Sequence, residues 1–272
     1  MNPLAFIKVL RSVFVRHAEL TYELSRREIS ERYAGSALGV LWAVLTPLIT
    51  MAVYVGLFAF VFPVRLGAEG SPWEGASLIL SGLVPWLAVV DVVTRSPLVF
   101  VSQRSLVRQV VFPIEVLPAR VIAAALVPWC VGTIVSLAVA LASVGPKPTL
   151  LLLPVLWLTQ IAGMLGLAYF VATIGAGFRD LREVVAILAN LGLYAGPILL
   201  LPALIDSLPT FARVGMQLNP FSHMVWCYHD AITYGSIQHP VSWLVFPLIA
   251  LGMLALGVAV FDRLRLKLAE VL

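Results

Sequence analysis

The sequence predicts an all-α integral membrane protein with six transmembrane helices, an N-terminal cytoplasmic amphipathic interface helix and re-entrant helices in the last outer loop. Of 272 residues, 61% are hydrophobic and only 12% are charged, against roughly 25% charged in soluble domains. A helix that crosses a membrane needs about 20 mostly apolar residues. Five stretches exceed that length and a sixth is short but uncharged. The predicted spans are 38–62, 78–101, 116–142, 150–178, 184–201 and 241–261.

This composition argues against several classes of protein. There is too little polar surface for a soluble enzyme or a disordered regulator. Cys130 and Cys227 are too far apart in sequence to suggest a disulfide framework or a cysteine metal site. No Walker-type glycine loop, HExxH or GxSxG motif occurs. Because His223 and His229 do not stack on one helical face, we interpret them as interface or loop residues, and expect neither catalytic residues nor metal ligands.

The distribution of basic residues predicts the orientation, because cytoplasmic loops carry an excess of Lys and Arg. Of 18 such residues, thirteen fall on one side, three on the other, and two within or at the edge of spans. An even number of spans places both termini together, so both are predicted to be cytoplasmic. The thirteen are Lys8, Arg11, Arg16, Arg26, Arg27, Arg32, Arg104, Arg108, Arg179, Arg182, Arg263, Arg265 and Lys267, and the three are Arg65, Lys147 and Arg213.

Residues 1–36 are predicted to form the amphipathic helix, which lies in the cytoplasmic interface. Apolar residues recur there at near-helical spacing between basic ones. Two i,i+4 pairs, Glu23–Arg27 and Glu28–Arg32, place the acid first, which is the favourable order. The segment is either a simple membrane anchor or, because its alternating charge exceeds what anchoring requires, a docking surface for a cytoplasmic partner.

A row of small residues follows at the first span. Gly35, Gly39 and Ala43 are spaced four apart, and such a row lets a second membrane helix approach closely. We therefore predict that Gly35 and Gly39 pack helices or a dimer. Tyr33 and Trp42 suit the membrane boundary.

Short motifs occur in order along nearly the whole chain. They are Arg32-Tyr33, Gly35-Ser36, Leu38-Gly39, Leu41-Trp42 and Pro47, then Phe112-Pro113 and Pro118, Phe178-Arg179-Asp180-Leu181, Asn219-Pro220, and Ala269-Glu270-Val271-Leu272. In this combination the chain resembles the permeases of polysaccharide-exporting ABC transporters, which include O-antigen, teichoic-acid and capsule exporters. The Arg-Tyr-x-Gly-Ser form resembles the O-antigen and teichoic-acid exporters more closely than the group-two capsule exporters.

The resemblance implies a channel-forming permease that moves a polyprenyl-pyrophosphate-linked polysaccharide, with O-antigen favoured, from the cytoplasm across the bacterial inner membrane. It implies a homodimer with two separate nucleotide-binding ATPase subunits, which would hold ATP and Mg²⁺, so that this chain has no cofactor of its own. The other implied partners are the lipid-linked polysaccharide and membrane lipids, with no nucleic acid.

Two cytoplasmic segments are candidates for contact with the ATPase. The first is the loop 102–115, a coupling helix in the family, whose two arginines stand at i,i+4 and therefore point the same way from one helical turn. The second is the leader helix. Alternatively, the loop is a positive-inside loop that only sets topology. The candidate coupling residues are Arg104, Ser105, Arg108, Glu23 and Arg27.

Asp91 and Arg95 are four residues apart within the second span. Each charge alone costs roughly 2.5–3.5 kcal/mol near the bilayer centre, so a pair is far better tolerated. Either the pair fixes helix packing, or Arg95 binds the pyrophosphate, since a guanidinium recognises phosphate bidentately. Arg32, at the cytoplasmic mouth beside Tyr33, is a second candidate for the same role.

Aromatic side chains are candidates for the channel lining, because they stack on the apolar faces of sugars. Tyr54 and Phe58 share one helical face of the first span, and Tyr194 lies on the fifth. The alternative is packing or a membrane belt. The resemblance favours the lining role for these two spans.

The last outer loop, 202–240, is too apolar for a solvated loop, and its apolar runs suggest re-entrant or interfacial helices. Asn219 and Pro220, followed by Phe221, are predicted to break it in two. The resemblance implies an external gate here. The alternative is a lid that lies in the interface without gating.

Three other functions compete with polysaccharide export. A small-lipid or drug ABC permease would share the architecture. A polyprenyl-phosphate transferase would need clustered Asp, His or Ser at one depth, yet Asp91 is the only carboxylate well inside a span. A secondary carrier would need more ionisable groups inside the membrane and repeated halves.

Overall fold

The computed structural model describes residue 9 and residues 11–62, 71–103, 112–178, 180–200 and 202–271. Helices make up 85% of the structure, and no strand occurs in these ranges. The all-α prediction is therefore confirmed.

Ten α-helices lie within the described ranges, and short π-helical or 3₁₀ turns extend several of them. They are α1 (Ala18–Arg32), α2 (Trp42–Gly56), α3 (Pro72–Arg95), α4 (Val116–Ser143), α5 (Leu153–Gly175), α6 (Leu181–Ala195), α7 (Pro202–Ser207), α8 (Thr210–Leu218), α9 (Pro220–His229) and α10 (Pro240–Val271).

Five helices in the described part of the chain are long and apolar enough to cross a membrane. They are Gly39–Val61, Pro72–Leu98, Val116–Ser143, Pro148–Gly175 and Pro240–Arg265. The helix predicted over 184–201 is α6, whose 15 residues fall short of the roughly 20 that a span needs. Gly196 and Pro197 follow it at once, and neither residue favours continuation of a helix.

Long-range hydrogen bonds distinguish the two ends of the bundle. At the end that carries α1, here called the leader end, the Ser12 hydroxyl donates to the Glu115 carboxylate at 2.6 Å and the Tyr169 hydroxyl donates to the Glu115 carbonyl. At the opposite end, here called the far end, the Thr149 hydroxyl donates to the carbonyl of Ala231 at 2.9 Å. The helix α10 runs from the far end back to the leader end.

The helix α3 forms the centre of the bundle, because most of its residues are buried, whereas few residues of the first span are. It begins at Pro72 because Ser71 caps it by accepting a hydrogen bond from the backbone of Trp73 at 3.1 Å. The helices α5 and α10 pack closely, since a Cβ at Gly257 would collide with the carbonyl oxygen of Gly166.

The predicted helical row of small residues is wrong. Gly35 and Gly39 have φ values of +79° and +52° and lie in the turn between α1 and α2, where a Cβ would meet nothing within 4 Å. Within this chain they therefore serve the backbone conformation of the turn and not a close approach of helices. A role for them between two copies of the chain remains a prediction.

We expect Gly39→Ala to lower the free energy of unfolding in detergent by about 1 kcal/mol, because an L-residue is strained at positive φ. The matched control is Gly252→Ala, a helical glycine in α10 whose Cβ would also meet open space, and which alanine should leave unchanged or stabilise. Equal effects of the two substitutions in denaturant unfolding would contradict the assignment.

Candidate functional site

Asp91 accepts hydrogen bonds from two arginines near the leader end. Nε of Arg95, one turn further along α3, donates to Oδ1 at 2.6 Å. Nη2 of Arg32, the last residue of α1, donates to Oδ2 at 3.3 Å. The predicted pair inside α3 therefore forms, and the second phosphate candidate reaches the same carboxylate from another helix.

These three side chains line a cavity of about 230 Å³ between the end of α1 and the helices α2, α3 and α4. We call it the arginine cavity. Tyr33 lines it as well, so the three residues predicted to meet the pyrophosphate, Arg32, Tyr33 and Arg95, share one site. Trp129 of α4 closes part of the wall, a contribution that the sequence did not suggest.

Two buried donors of the arginine cavity lack hydrogen-bond partners among the described residues. They are Nε of Arg32 and Nε1 of Trp129, and a buried polar group left unpaired costs roughly 1–3 kcal/mol. Two guanidinium groups against one carboxylate also leave a net positive charge. The arginine cavity is therefore suited to an anion with several oxygen atoms, and phosphate is one that arginine binds with two parallel hydrogen bonds.

Comparison with known protein families identifies the family of this chain. Residues 19–233 match the model of the ABC-2 type transporter family, which is most of the chain. The chain belongs to this family. Proteins of the ABC-2 family are membrane subunits of transporters, with ATP hydrolysis on a separate subunit, so the predicted transporter role is confirmed.

Relatives of this ABC-2 protein match nearly its whole length. The O-antigen export system permease protein RfbA of Myxococcus xanthus is 28% identical, over 97% of this chain and 99% of its own. RfbA of Klebsiella pneumoniae is 27% identical over 93% and 95%. The polysialic acid transport protein KpsM of Escherichia coli is 26% identical over 86% and 89%. The predicted resemblance to polysaccharide-exporting permeases is confirmed.

The leader helix of the ABC-2 chain is tied to the bundle by an ion pair whose arginine is buried. Arg120, which is 5% exposed on α4, lies 3.3 Å from a carboxylate oxygen of Glu28 on α1. The predicted local pair Glu28–Arg32 is therefore wrong, because each partner instead contacts a membrane helix. Similarly, Arg27 pairs with Glu31 at 2.6 Å and not with Glu23 as predicted.

The candidate coupling residues fall into two groups. Glu23 and Arg27 are exposed on α1 and available to a partner. Arg104, Ser105 and Arg108 lie outside the described residues. The coupling role of both groups remains a prediction.

The predicted lining aromatics differ in burial: Tyr54 and Phe58 are half-buried, and Tyr54 packs against the core of the bundle. Tyr54 and Phe58 stack with ring centroids 6.4 Å apart and planes 8° apart. Tyr194 is 69% exposed on α6. Their role in a channel remains a prediction.

The segment 202–240 has the predicted break. Asn219 ends α8 and caps α9 by accepting a hydrogen bond from the backbone of Phe221 at 3.1 Å, and Pro220 is the first residue of α9. The ring of Phe221 meets Trp86 of α3 edge-on, with centroids 5.1 Å apart. The break therefore anchors this segment on the central helix.

Proposed function

We propose that this chain is the channel-forming permease of an exporter that moves a polyprenyl-pyrophosphate-linked polysaccharide, O-antigen first among the candidates, across the bacterial inner membrane. The observation that carries the proposal is the arginine cavity, with Arg32 and Arg95 on one carboxylate and two donors that have no partner in the described part of the chain. The names of the RfbA relatives support the substrate. KpsM supports a capsule polymer as the alternative.

In this proposal α6 is the sixth membrane crossing, with both termini in the cytoplasm. The chain leaves α5 at the leader end, where Gly175 lies against Pro97, and α10 starts at the far end. The chain must therefore return once between them, and α6 covers most of that distance. The excess of basic residues at the leader end supports a cytoplasmic position.

The arginine cavity receives the pyrophosphate of the lipid carrier at the cytoplasmic side. The free Nε of Arg32 and Nε1 of Trp129 donate to phosphate oxygens, and the net positive charge compensates the anion. The apolar helices around the site leave the polyprenyl chain in the membrane.

The chain works as a homodimer with two ATPase subunits, which hold ATP and Mg²⁺. The first span is largely uncovered in one chain, and its aromatic residues, with Tyr194 of α6, line the polymer path between the two copies. The helices α7, α8 and α9 form the external gate, as re-entrant or interfacial helices at the far end.

Reconstitution with the ATPase subunit tests the substrate class. Lipid-linked polymer should stimulate ATP hydrolysis in proteoliposomes and should be recovered on the opposite side of the membrane. Stimulation by small amphiphiles alone would support a small-lipid or drug permease and overturn the proposal. Comparison of O-antigen, teichoic-acid and capsule polymers separates the remaining substrates.

Replacing both Arg104 and Arg108 with Glu should uncouple ATP hydrolysis from export, because reversed charge opposes docking of the ATPase at this loop. We expect polymer export to fall at least tenfold while the protein still inserts in the membrane. The control is the charge reversal Arg263→Glu on α10. Normal export by the double variant would remove the loop from the mechanism.

A further inference from the structure

A second cavity, of about 700 Å³, lies at the far end between the start of α3, the helix α9 and the start of α10. We call it the histidine cavity, because His223, His229 and His239 all line it. Its volume is in the range of roughly 300–1,000 Å³ that is usual for small-molecule sites. It shares no lining residue with the arginine cavity.

Aromatic rings form a connected group in the wall of the histidine cavity. Trp226 stacks on His239, with ring centroids 5.3 Å apart and planes 7° apart, and His223 meets Trp226 edge-on at 5.4 Å. Tyr234 contacts His229 and His239 at 6.2 and 6.3 Å. The rings therefore hold one another in place before any ligand arrives.

A hydrogen bond fixes the position of one proton on the His223 ring. Its Nε2 lies 3.0 Å from the carbonyl oxygen of Gln217, which can only accept, so Nε2 carries the proton. Its Nδ1 lies 3.0 Å from the Ser242 hydroxyl, and in the neutral ring it accepts from that group. Burial lowers the pKa of His223 and, with a smaller contribution from His239, lowers the pKa of His229 to about 3, so both rings are uncharged at neutral pH.

The carboxylate beside these rings, Asp230, already accepts hydrogen bonds from neighbouring groups. Asp230 is fully buried and accepts from the backbone and Nδ1 of His239 at 3.0 and 2.8 Å, and from Nε1 of Trp243 at 3.0 Å. Burial raises the pKa of Asp230, but these hydrogen bonds outweigh it and lower the pKa overall. The Asp230 carboxylate therefore positions His239, and Asp230 does not itself line the cavity.

The groups that remain are neutral hydrogen-bonding groups. Nε2 of His229, on a side chain that is 97% buried, has no partner among the described residues and packs against α3 at Gly82. The amides of Gln217 and Gln238 also line the cavity, and none of its described lining residues carries a carboxylate, ammonium or guanidinium group. No described lining residue is a lysine or arginine that could bind phosphate, and the His239 imidazole is already paired with Asp230. An acyl chain would leave the polar groups unsatisfied.

We propose that the histidine cavity binds a neutral saccharide. Its rigid rings suit the apolar face of a sugar ring, and its imidazole and amide groups suit the hydroxyls. The inference rests on the proposed function in one respect, which is that the saccharide is a segment of the exported polymer. The site then holds that segment at the far end, apart from the lipid carrier.

Binding of lipid-free oligosaccharide to the purified full-length protein tests this inference without transport. The probe is the surface polysaccharide of the source cell, released by mild acid and cut to short neutral oligosaccharides, and binding is measured by saturation-transfer NMR. We expect Trp226→Leu to weaken binding at least tenfold and Trp226→Phe to weaken it by about threefold or less. The control Trp73→Leu, at an exposed tryptophan of the same end, should leave binding unchanged.

A second variant, Gln238→Ala, separates loss of binding from misfolding, because Gln238 is an exposed lining residue whose replacement should not disturb the fold. It should weaken binding severalfold with an unchanged Tm. Absence of binding at millimolar oligosaccharide, or binding unaffected by both Trp226→Leu and Gln238→Ala, overturns the inference. Preferential binding of glycerol phosphate, a lipid headgroup probe, overturns it too. Oligosaccharide binding without polymer-stimulated ATP hydrolysis would instead count against the proposed function alone.

Discussion

Arg32→Ala should raise the polymer concentration that half-maximally stimulates ATP hydrolysis by roughly 10–100-fold. Hydrogen bonds to charged groups are worth about 1.5–3 kcal/mol, and about 1.4 kcal/mol corresponds to a factor of ten. The substitution removes the free Nε of the arginine cavity and half of its guanidinium charge. The measurement is the ATPase rate of the reconstituted complex against lipid-linked polymer.

Two further variants separate phosphate binding from helix packing. Arg26→Ala removes an exposed arginine from the same helix and should leave the polymer response unchanged. Asp91→Asn should strengthen the response, because the carboxylate competes with phosphate for the same guanidinium donors. A purely structural ion cluster would weaken the response in Asp91→Asn as in Arg32→Ala, and that result would contradict the proposed pyrophosphate site.

Glu28→Ala should lower the free energy of unfolding by about 3–5 kcal/mol, because it leaves the Arg120 guanidinium buried without its ionic partner. Denaturant unfolding in detergent measures the loss. The matched control is Glu31→Ala, which breaks the exposed pair with Arg27 and should cost less than about 1 kcal/mol.

Replacing Glu28 and Arg120 together with Met provides the second arm of this test. Since the double variant removes both charges and keeps apolar volume, its stability should return close to that of the parent. A double variant as unstable as Glu28→Ala would mean that the leader helix is held by other contacts.

The features that could be predicted from the sequence are those that depend on residues close together along the chain. Apolar length located the five long helices, and the four-residue spacing located the pair of Asp91 and Arg95, because both follow from the geometry of one helix. The same reasoning failed for Glu28 and Arg32. Local spacing favours their pairing, but the chain brings each of them to a membrane helix, and Arg32 reaches a carboxylate 59 residues away.

Two other misses had signals in the sequence. Gly35 and Gly39 have the spacing of a packed helix row, yet glycine is also the residue that tolerates positive φ, and the turn after α1 uses it for that purpose. The span predicted through residue 201 ends at Ala195, where Gly196 and Pro197 follow.

The contact between Gly166 and Gly257 has a mechanical consequence. Because the backbones of α5 and α10 touch there without intervening side chains, sliding or parting of these helices would break this contact and open a gap between them. They should therefore travel as one rigid block during the transport cycle. The movement that widens the passage for the polymer must then occur in the first span, which has few buried residues, and at its junction with the leader helix.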